Sequence, residues 1–283
     1  MKLRIVGLAA AGTIALGGVV LAQNVPEQFV VSGKAAEQIQ DFATINLATA
    51  EHIADACEKA AAEGVQISIM VLDNDGNHVY MDRMDGQGYL NIVTAEMKAR
   101  TALLGREPSK IRMNRVIQDP TQEFEQIQLG FFPNSGGLPI VVNKQLIGVV
   151  GVGGSAPRVP IWSDEICAHK ALVAVIGPSV PPLVQDLPPR QNPNPGNAPV
   201  PRFVASAPPK SSLPAEVVVG GKGAGIIFDG NQISLAAAKK IARVCRDWAA
   251  SKGGAMSLYI VDNAGEFVHM ERMDGQVYSA PRC

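Results

Sequence analysis

The residue types that most often carry chemistry are present, but their spacing matches no catalytic or metal-binding pattern. The four histidines are scattered along the chain, at His52, His78, His169 and His269. None of these residues shows the HExxH spacing that places two imidazoles on one helix face. The cysteines form neither a zinc pattern nor a CxxC redox pair, and no Ser–His–Asp or Cys–His set is supported. The glycine-rich stretches 151–155 and 220–225 are not phosphate loops. These motifs therefore predict no particular enzyme.

Composition and charge restrict the partners. The chain has 283 residues, of which 47% are hydrophobic, and its net charge is −1. Binding to nucleic acid needs a basic face that neutralises phosphates. We therefore expect no nucleic-acid partner.

The N-terminus has the pattern of a secretory signal peptide. Lys2 and Arg4 precede an uncharged apolar stretch over residues 5–21, and small residues surround Ala22. This pattern predicts a signal peptide over 1–22 with cleavage after Ala22. The alternative is a membrane anchor, but the stretch is rich in Gly and Ala. We expect a periplasmic or secreted protein without a stable membrane span after cleavage.

Export would permit disulfides. Cys57 and Cys245 nevertheless fall on predicted core faces, so we expect each of them to be a buried free thiol rather than half of a bridge. Cys283 is the last residue and could pair between chains.

Two segments of the chain have similar sequences. Residues 67–89 and 256–278 are identical at 12 of 23 aligned positions. Each predicts a strand, a tight turn containing Gly and a second strand. A helix with apolar residues at helical spacing precedes each hairpin, and Asn46 and Ser234 occupy the expected N-cap positions.

The first of these units continues into further elements, and the second does not. A helix is predicted over 91–104, a second hairpin over 138–142 and 146–152, and a last helix capped by Ser163. The order of helix, two strands, helices, two strands and helix indicates an α+β fold with an antiparallel sheet flanked by helices.

This order divides the chain into four parts. A domain is predicted over 40–178, a Pro/Gly-rich linker over 179–228 and a truncated second copy over 229–283. The linker assignment rests on 12 of the chain's 20 prolines, which lie between residues 178 and 214. An isolated helix and hairpin is marginally stable, so the second unit either completes itself against the first domain or another chain, or derives from a truncated two-copy ancestor. Truncation is the preferred hypothesis.

Four motifs carry a resemblance to a known family. They are VLDNDGN with RMDG, KARTA, GGLPIVV and IGVVGVGG, at 71–77 with 83–86, 98–102, 136–142 and 147–154. In these motifs and their order the chain resembles the GlcG/HbpS family of haem-binding proteins, which also forms the C-terminal domain of PduO-type proteins. The resemblance implies a profilin-like fold and symmetric homo-oligomers. Some members bind haem outside the cytoplasm, and others have possible enzymatic roles.

The resemblance also implies a haem site, and it places Thr101 there. Lys98 and Arg100 flank Thr101, and they either pair with haem propionates or solvate the helix. His52 and Tyr89 are candidate iron ligands, although His52 is more typical of a solvent-facing residue and Tyr89 of a packing residue.

Gly136 and Gly137 precede the second hairpin and mark a close approach of either a flat ligand or another backbone. The iron ligand is not assigned.

We therefore expect an exported haem-binding protein that captures, stores or senses haem, and we favour a non-enzymatic role over an enzymatic one. One alternative is a periplasmic isomerase, deaminase or lyase that acts on a small organic acid around Arg83, Asp85 and Lys98. The other is a non-catalytic oligomerising subunit. Arg83 and Asp85 recur in both similar segments, and a structural ion pair or turn cap is the preferred interpretation of both residues.

Overall fold

The structure is a computed structural model. It describes residues 25–36, 43–61, 65–154, 162–187, 211–225, 227 and 230–276. The predicted signal peptide over 1–22, the linker residues 188–210, Tyr278 and Cys283 lie outside the described residues. Among the described residues, no helix combines the length and hydrophobicity that a bilayer span requires.

The described residues form seven α-helices and six strands. The helices are α1 (Gly33–Ala36), α2 (Leu47–Ala60), α3 (Tyr89–Gly105), α4 (Ser109–Gln118), α5 (Glu123–Gln128), α6 (Asp164–Val175) and α7 (Leu235–Ser251). The strands are β1 (Ser68–Asp73), β2 (His78–Arg83), β3 (Gly137–Val142), β4 (Gln145–Gly153), β5 (Ser257–Val261) and β6 (Phe267–Arg272). They pair as one antiparallel sheet in the order β3-β4-β1-β2-β6-β5. The predicted α+β class, an antiparallel sheet flanked by helices, is confirmed.

Local signals set the ends of these elements. The side chain of Asn46 accepts a hydrogen bond from the Thr49 amide at 2.8 Å and so caps α2, and Ser234 caps α7 in the same way. Gly76, in the turn between β1 and β2, has a φ of +84°, which glycine adopts without steric cost.

Alternation along the strands separates two cores. On one face of the sheet, Ile69 and Val71 of β1 pack with α2 and α6, and α7 covers the hairpin β5–β6. On the other face, Met70 and Leu72 of β1 pack against α3. Successive strand residues point to opposite faces, so one strand serves both cores.

The second hairpin extends the sheet of the first. Strand β6 pairs antiparallel with β2, with Met270 opposite Met81 and His269 opposite Asp82. The sequence left open whether the second unit packs against the first domain or against another chain. In the structure it packs against the first domain. Truncation of an ancestor stays a prediction.

Two corresponding ion pairs join the units. Arg83 Nη2 lies 2.7 Å from Asp262 Oδ2, and Arg272 Nη2 lies 2.7 Å from Asp73 Oδ2. Residues 83 and 73 align with 272 and 262, so the same contact is made in both directions. An approximate two-fold axis through the β2–β6 pair accounts for this reciprocity.

The helix starts are capped across the same axis. Asp85 Oδ1 accepts a hydrogen bond from the Leu235 amide of α7 at 2.7 Å. Asp274 Oδ1 accepts one from the Leu47 amide of α2 at 2.9 Å. A carboxylate at a helix N-terminus satisfies a free amide and interacts favourably with the helix dipole. The preferred interpretation of both residues as structural is confirmed: Arg83 forms an ion pair, and Asp85 is a cap, although it caps the start of a helix rather than a turn.

One cysteine expectation is wrong. Cys57 of α2 and Cys167 of α6 form a disulfide, with Cα atoms 5.2 Å apart and 110 residues of sequence separation. Because α2 and α6 pack side by side, two residues from the ends of the first domain meet. Cys245 is a free thiol, as expected, but it is half-buried rather than buried.

The disulfide should contribute measurably to stability, because it closes a long loop in the unfolded chain. Replacing both partners, as Cys57→Ala with Cys167→Ala, should lower the free energy of unfolding by about 2–4 kcal/mol. Urea unfolding followed by circular dichroism would measure this loss. Cys245→Ala is the control and should change the value by less than about 1 kcal/mol. Equal stabilities of the double variant and the parent would contradict the prediction.

Candidate functional site

Thr101 lies inside the protein on α3. Its hydroxyl donates to the Met97 carbonyl at 2.8 Å and accepts from the Phe132 amide at 2.7 Å. The bond to Met97 lies within α3, whereas the bond from Phe132 holds the segment after α5 against the helix. The residue is fully buried. In the described structure the hydroxyl therefore serves the fold.

Lys98 is also buried on α3. Its Nζ donates to Asp164 Oδ2 at 2.6 Å and to the Val152 carbonyl at 3.0 Å. A buried ammonium needs such partners because its desolvation is costly. Lys98 thus joins α3 to the first turn of α6 and to strand β4.

Gly136 and Gly137 mark close approaches by other parts of the chain. A Cβ atom added at Gly136 would overlap the Val152 carbonyl of β4 and the Asp164 side chain of α6. A Cβ atom added at Gly137 would overlap the Lys98 carbonyl, and one at Gly151 would overlap the Ala95 carbonyl. The sequence raised two possibilities, a flat ligand or another backbone. The described residues place α3 on Gly137, and β4 together with a side chain of α6 on Gly136.

The other predicted site residues are more accessible. His52 is exposed on α2. Arg100 pairs with Glu96, with Nη2 and Oε1 2.7 Å apart, and its side chain is 43% exposed. Tyr89 begins α3 and is 37% exposed. The structure therefore does not bring the seven predicted residues together at one site.

An apolar groove, here called the α3 groove, runs between α3 and the second hairpin and has a volume of about 340 Å³ when the open solvent at its mouth is included. Three methionines from neighbouring strands lie along it. Tyr89, Ile92 and Val93 contribute from α3, and two aromatic residues contribute from the second hairpin. Its lining residues are Met70, His78, Met81, Tyr89, Ile92, Val93, Glu96, Tyr259, Phe267 and Met270.

The groove follows from the arrangement of the sheet. Helix α3 packs on β4, β1 and β3 and barely reaches β2. Among the described residues, no helix covers the hairpin β5–β6 on this face. Tyr259 and Phe267, whose rings lie 5.5 Å apart, are therefore partly exposed beside α3.

Charged groups collect where the groove borders α3. His78 Nε2 lies 3.1 Å from Glu96 Oε1, which also accepts from Arg100. Burial alone would raise the pKa of Glu96, but the hydrogen bonds and charges of His78 and Arg100 outweigh it and lower the pKa to about 2. A fixed carboxylate with two nitrogen partners therefore borders the apolar groove.

A polar cleft of about 710 Å³ adjoins the groove. Arg83, Gln232, Asp262 and Glu266 line it, and Tyr89 lines both the cleft and the groove. A molecule with an apolar body and a polar edge would find both environments around this phenol.

Sequence reasoning identified Tyr89 but missed the rest of the groove. The available signals were weak: Met81 and Met270 are identical in the two similar segments, and strand alternation places Met70 on one face with Leu72. Only the pairing of β2 with β6 shows that these methionines are neighbours.

A second cluster, here called the seam cluster, lies on the opposite face between α2 and α7. Lys239 Nζ lies 2.8 Å from Asp82, 3.1 Å from Asp55 and 3.2 Å from Glu58. Asp82 also contacts His269 Nδ1 at 2.5 Å. The three carboxylates lie close enough together to hold a metal ion, but the lysine ammonium occupies that position. The cluster therefore joins the two units.

Burial and charge perturb the titration of the seam cluster. Burial and the neighbouring Asp82 raise the pKa of Glu58 to about 8, although Lys239 opposes this shift. Burial alone would lower the pKa of His269, but hydrogen bonds and charges from Asp82 and Glu271 raise it to about 9.

Comparison with known proteins now defines the class. The model of the family described as "Haem degrading protein HbpS-like" matches residues 45–173. An uncharacterised 15.0 kDa protein of Citrobacter freundii is 33% identical over 138 residues, which are 47% of this chain and 93% of that protein. Protein GlcG of Escherichia coli is 34% identical over 100 residues, which are 35% of this chain and 73% of GlcG.

A solved structure, that of protein ORFY of Klebsiella pneumoniae, has a TM-score of 0.43 and 29% identity and covers 53% of this chain and 99% of that one. The chain belongs to the HbpS-like family, and the resemblance seen in the sequence motifs is confirmed. The family description relates the class to haem.

We expect titration of the seam cluster to lower the free energy of unfolding as pH rises from 6 to 9.5. The folded pKa values of His269 and Glu58, about 9 and about 8, exceed the ordinary values of 6.5 and 4.5. In this range the folded state therefore holds more protons than the unfolded state. The free energy of unfolding falls as pH rises through the folded pKa values. We expect a loss of about 2 kcal/mol, measured by urea unfolding with tryptophan fluorescence.

His269→Asn should flatten this pH dependence, because asparagine does not titrate. His52→Asn, which alters an exposed histidine outside the seam cluster, is the matched control and should leave the dependence unchanged. Equal pH slopes for the parent and His269→Asn would show that the seam cluster does not govern it.

Proposed function

We propose that this chain is an exported haem-binding protein that captures, stores or senses haem, and that the α3 groove receives the haem. The observation that carries the proposal is the composition of this groove. It joins an apolar surface to imidazole, phenol and thioether side chains, which are the groups that ligate haem iron in proteins.

The residues present fit such a group. Met70, Met81 and Phe267 offer an apolar surface to a macrocycle, and His78, Tyr89 and Met270 are candidate iron ligands. The guanidinium of Arg100, partly exposed beside Glu96, is a candidate partner for propionates. Bound haem would supply redox and ligand-binding chemistry, and the protein's part is to hold and orient it.

Two further observations support the export component. The N-terminal pattern over 1–22 predicts a cleaved signal peptide. The disulfide between Cys57 and Cys167 is of a kind that persists in oxidising compartments such as the periplasm. Both fit a protein that meets haem outside the cytoplasm.

We infer further that the second unit is a copy of the α2–β1–β2 part of the first domain. Its support is the sequence identity of the hairpins together with the reciprocal ion pairs and caps at the β2–β6 seam. In this proposal the copy supplies Tyr259, Phe267 and Met270 to the groove and so completes it in cis.

No observation favours the enzymatic alternative. Arg83 is bound to Asp262, Asp85 caps α7, and Lys98 is bound to Asp164. Each of these three residues serves a contact between elements of the fold.

The test is a haemin titration of the chain lacking residues 1–22, followed in the Soret band. The parent should bind haemin saturably at micromolar concentration. His78→Ala, Tyr89→Phe or Phe267→Glu should weaken binding by about tenfold or more or shift the Soret maximum, because each removes a ligand or the apolar surface. His52→Ala is the matched histidine control and should bind as the parent does.

The variant Thr101→Val distinguishes haem binding in the α3 groove from haem binding at Thr101, the site that the family resemblance implies. If haem binds in the groove, Thr101→Val should retain the parent's affinity. Loss of binding in Thr101→Val with normal binding in the three groove variants would move the site to the buried end of α3. An absence of saturable binding in the parent would reject haem as the ligand.

A further inference from the structure

Residues 178–187, here called the strap, turn back from the end of α6 and reach its first turn. The strap contains no helix or strand, and three of its residues are prolines, which do not extend a helix. The Val184 amide of the strap donates a hydrogen bond to Glu165 Oε1 of α6 at 3.2 Å. Because α6 has 12 residues and is about 18 Å long, the residues between its end and Val184 are enough to return along it.

Two further polar contacts hold the strap residues that follow Val184. Asn114 Nδ2 of α4 donates to the Gln185 carbonyl at 3.1 Å, and the ammonium of Lys110 forms an ion pair with the Asp186 carboxylate. An acceptor, a donor and a cation thus contact the N–H, the C=O and the side chain of three consecutive residues. Main-chain hydrogen bonds combined with a side-chain anchor are the means by which proteins recognise extended peptides.

The residues that receive the strap, Lys110, Asn114 and Glu165, are here called the α4–α6 site. Lys110 Nζ lies 3.1 Å from Glu165 Oε2, and Ser135 Oγ donates to the same oxygen at 3.2 Å. Burial alone would lower the pKa of Lys110, but the hydrogen bonds and charges of Asp186 and Glu165 outweigh it and raise the pKa. The contacts among Lys110, Glu165 and Ser135 do not involve the strap, so these parts of the site are arranged without it.

Few contacts hold the strap in this site. Val180 is the only buried residue of the strap. Leu183 is 44% exposed, and the Asp186 side chain is 86% exposed. An ion pair with an exposed partner adds little stability, and a segment with few buried contacts opens locally while the rest of the domain stays folded. The strap can therefore leave the α4–α6 site without unfolding of the domain.

We propose that the α4–α6 site binds an extended acidic peptide of a partner protein, and that the strap occupies this site as an autoinhibitory segment. In the bound state the peptide takes the place of Val184, Gln185 and Asp186. Its first residue donates its N–H to Glu165, its second accepts from Asn114, and its third is an aspartate or glutamate.

The geometry favours a peptide over a small carboxylate as the ligand. A free carboxylate would pair with Lys110 but would make no use of the Asn114 amide or of the outward oxygen of Glu165. The strap uses all three groups at once, because one extended chain carries a donor, an acceptor and an acid in the matching order.

The proposal goes beyond the proposed function and is independent of it. None of the residues of the α4–α6 site or of the strap lines the α3 groove. Haem binding and peptide binding can therefore be disrupted by separate variants.

The test uses a fluorescent synthetic peptide with the sequence of residues 180–187 and the chain lacking residues 1–22. Fluorescence anisotropy measures binding. The double variant Val184→Pro/Asp186→Ala removes two strap contacts and should bind the peptide about tenfold more tightly than the parent does, because the strap no longer competes as a tethered ligand. A peptide with lysine at the position of Asp186 is the matched control and should not bind.

A second substitution, made in this double variant, locates the peptide. Asn114→Asp replaces the amide donor by an acceptor and should weaken binding by about tenfold or more, because two acceptors then face each other. Gln118→Glu makes the same chemical change at an exposed position of α4 and should leave the affinity unchanged. Circular dichroism should show that all variants keep the parent's secondary structure.

Equal affinities of the parent and the double variant for the peptide would overturn the autoinhibitory role of the strap. Binding of the lysine peptide, or full affinity in Asn114→Asp, would reject the α4–α6 site. Exchange of straps between two copies of this chain would appear in sedimentation equilibrium as a dimer that the double variant loses, and it would reject a partner protein as the source of the peptide.

Discussion

The antiparallel pairing of β2 with β6 is the contact on which the rest of the structure depends. It sets Met81 opposite Met270 on one face of the sheet and Asp82 opposite His269 on the other. The first face becomes the floor of the α3 groove, and the second becomes the seam cluster. Because side chains alternate along a strand, a register shift by one residue would place methionines among the buried charges. The charged and apolar faces thus fix the register together.

The charges at this seam also specify which unit pairs with which. Acidic residues of α2, among them Glu51 and Glu58, face the basic residues Lys239 and Arg246 of α7. Pairing two copies of the first unit through this seam would bring acid against acid, which is strongly disfavoured in a buried interface. Buried charge pairs are costly to desolvate and add little net stability, but they discriminate against wrong partners. The seam is therefore better suited to its own chain than to a homotypic partner.

Sequence reasoning predicted the features that depend on residues close together in the chain, and it missed the features that depend on residues far apart in the chain. Turns, caps and hairpins were correct because Gly76, Asn46 and Ser163 act within a few residues of themselves. The glycines of the second hairpin correctly indicated a close approach, but the approaching group could not be inferred. The disulfide of Cys57 depends on a contact 110 residues away, and apolar spacing alone favoured a free thiol. The groove was missed for the same reason, since its two sides come from separate units.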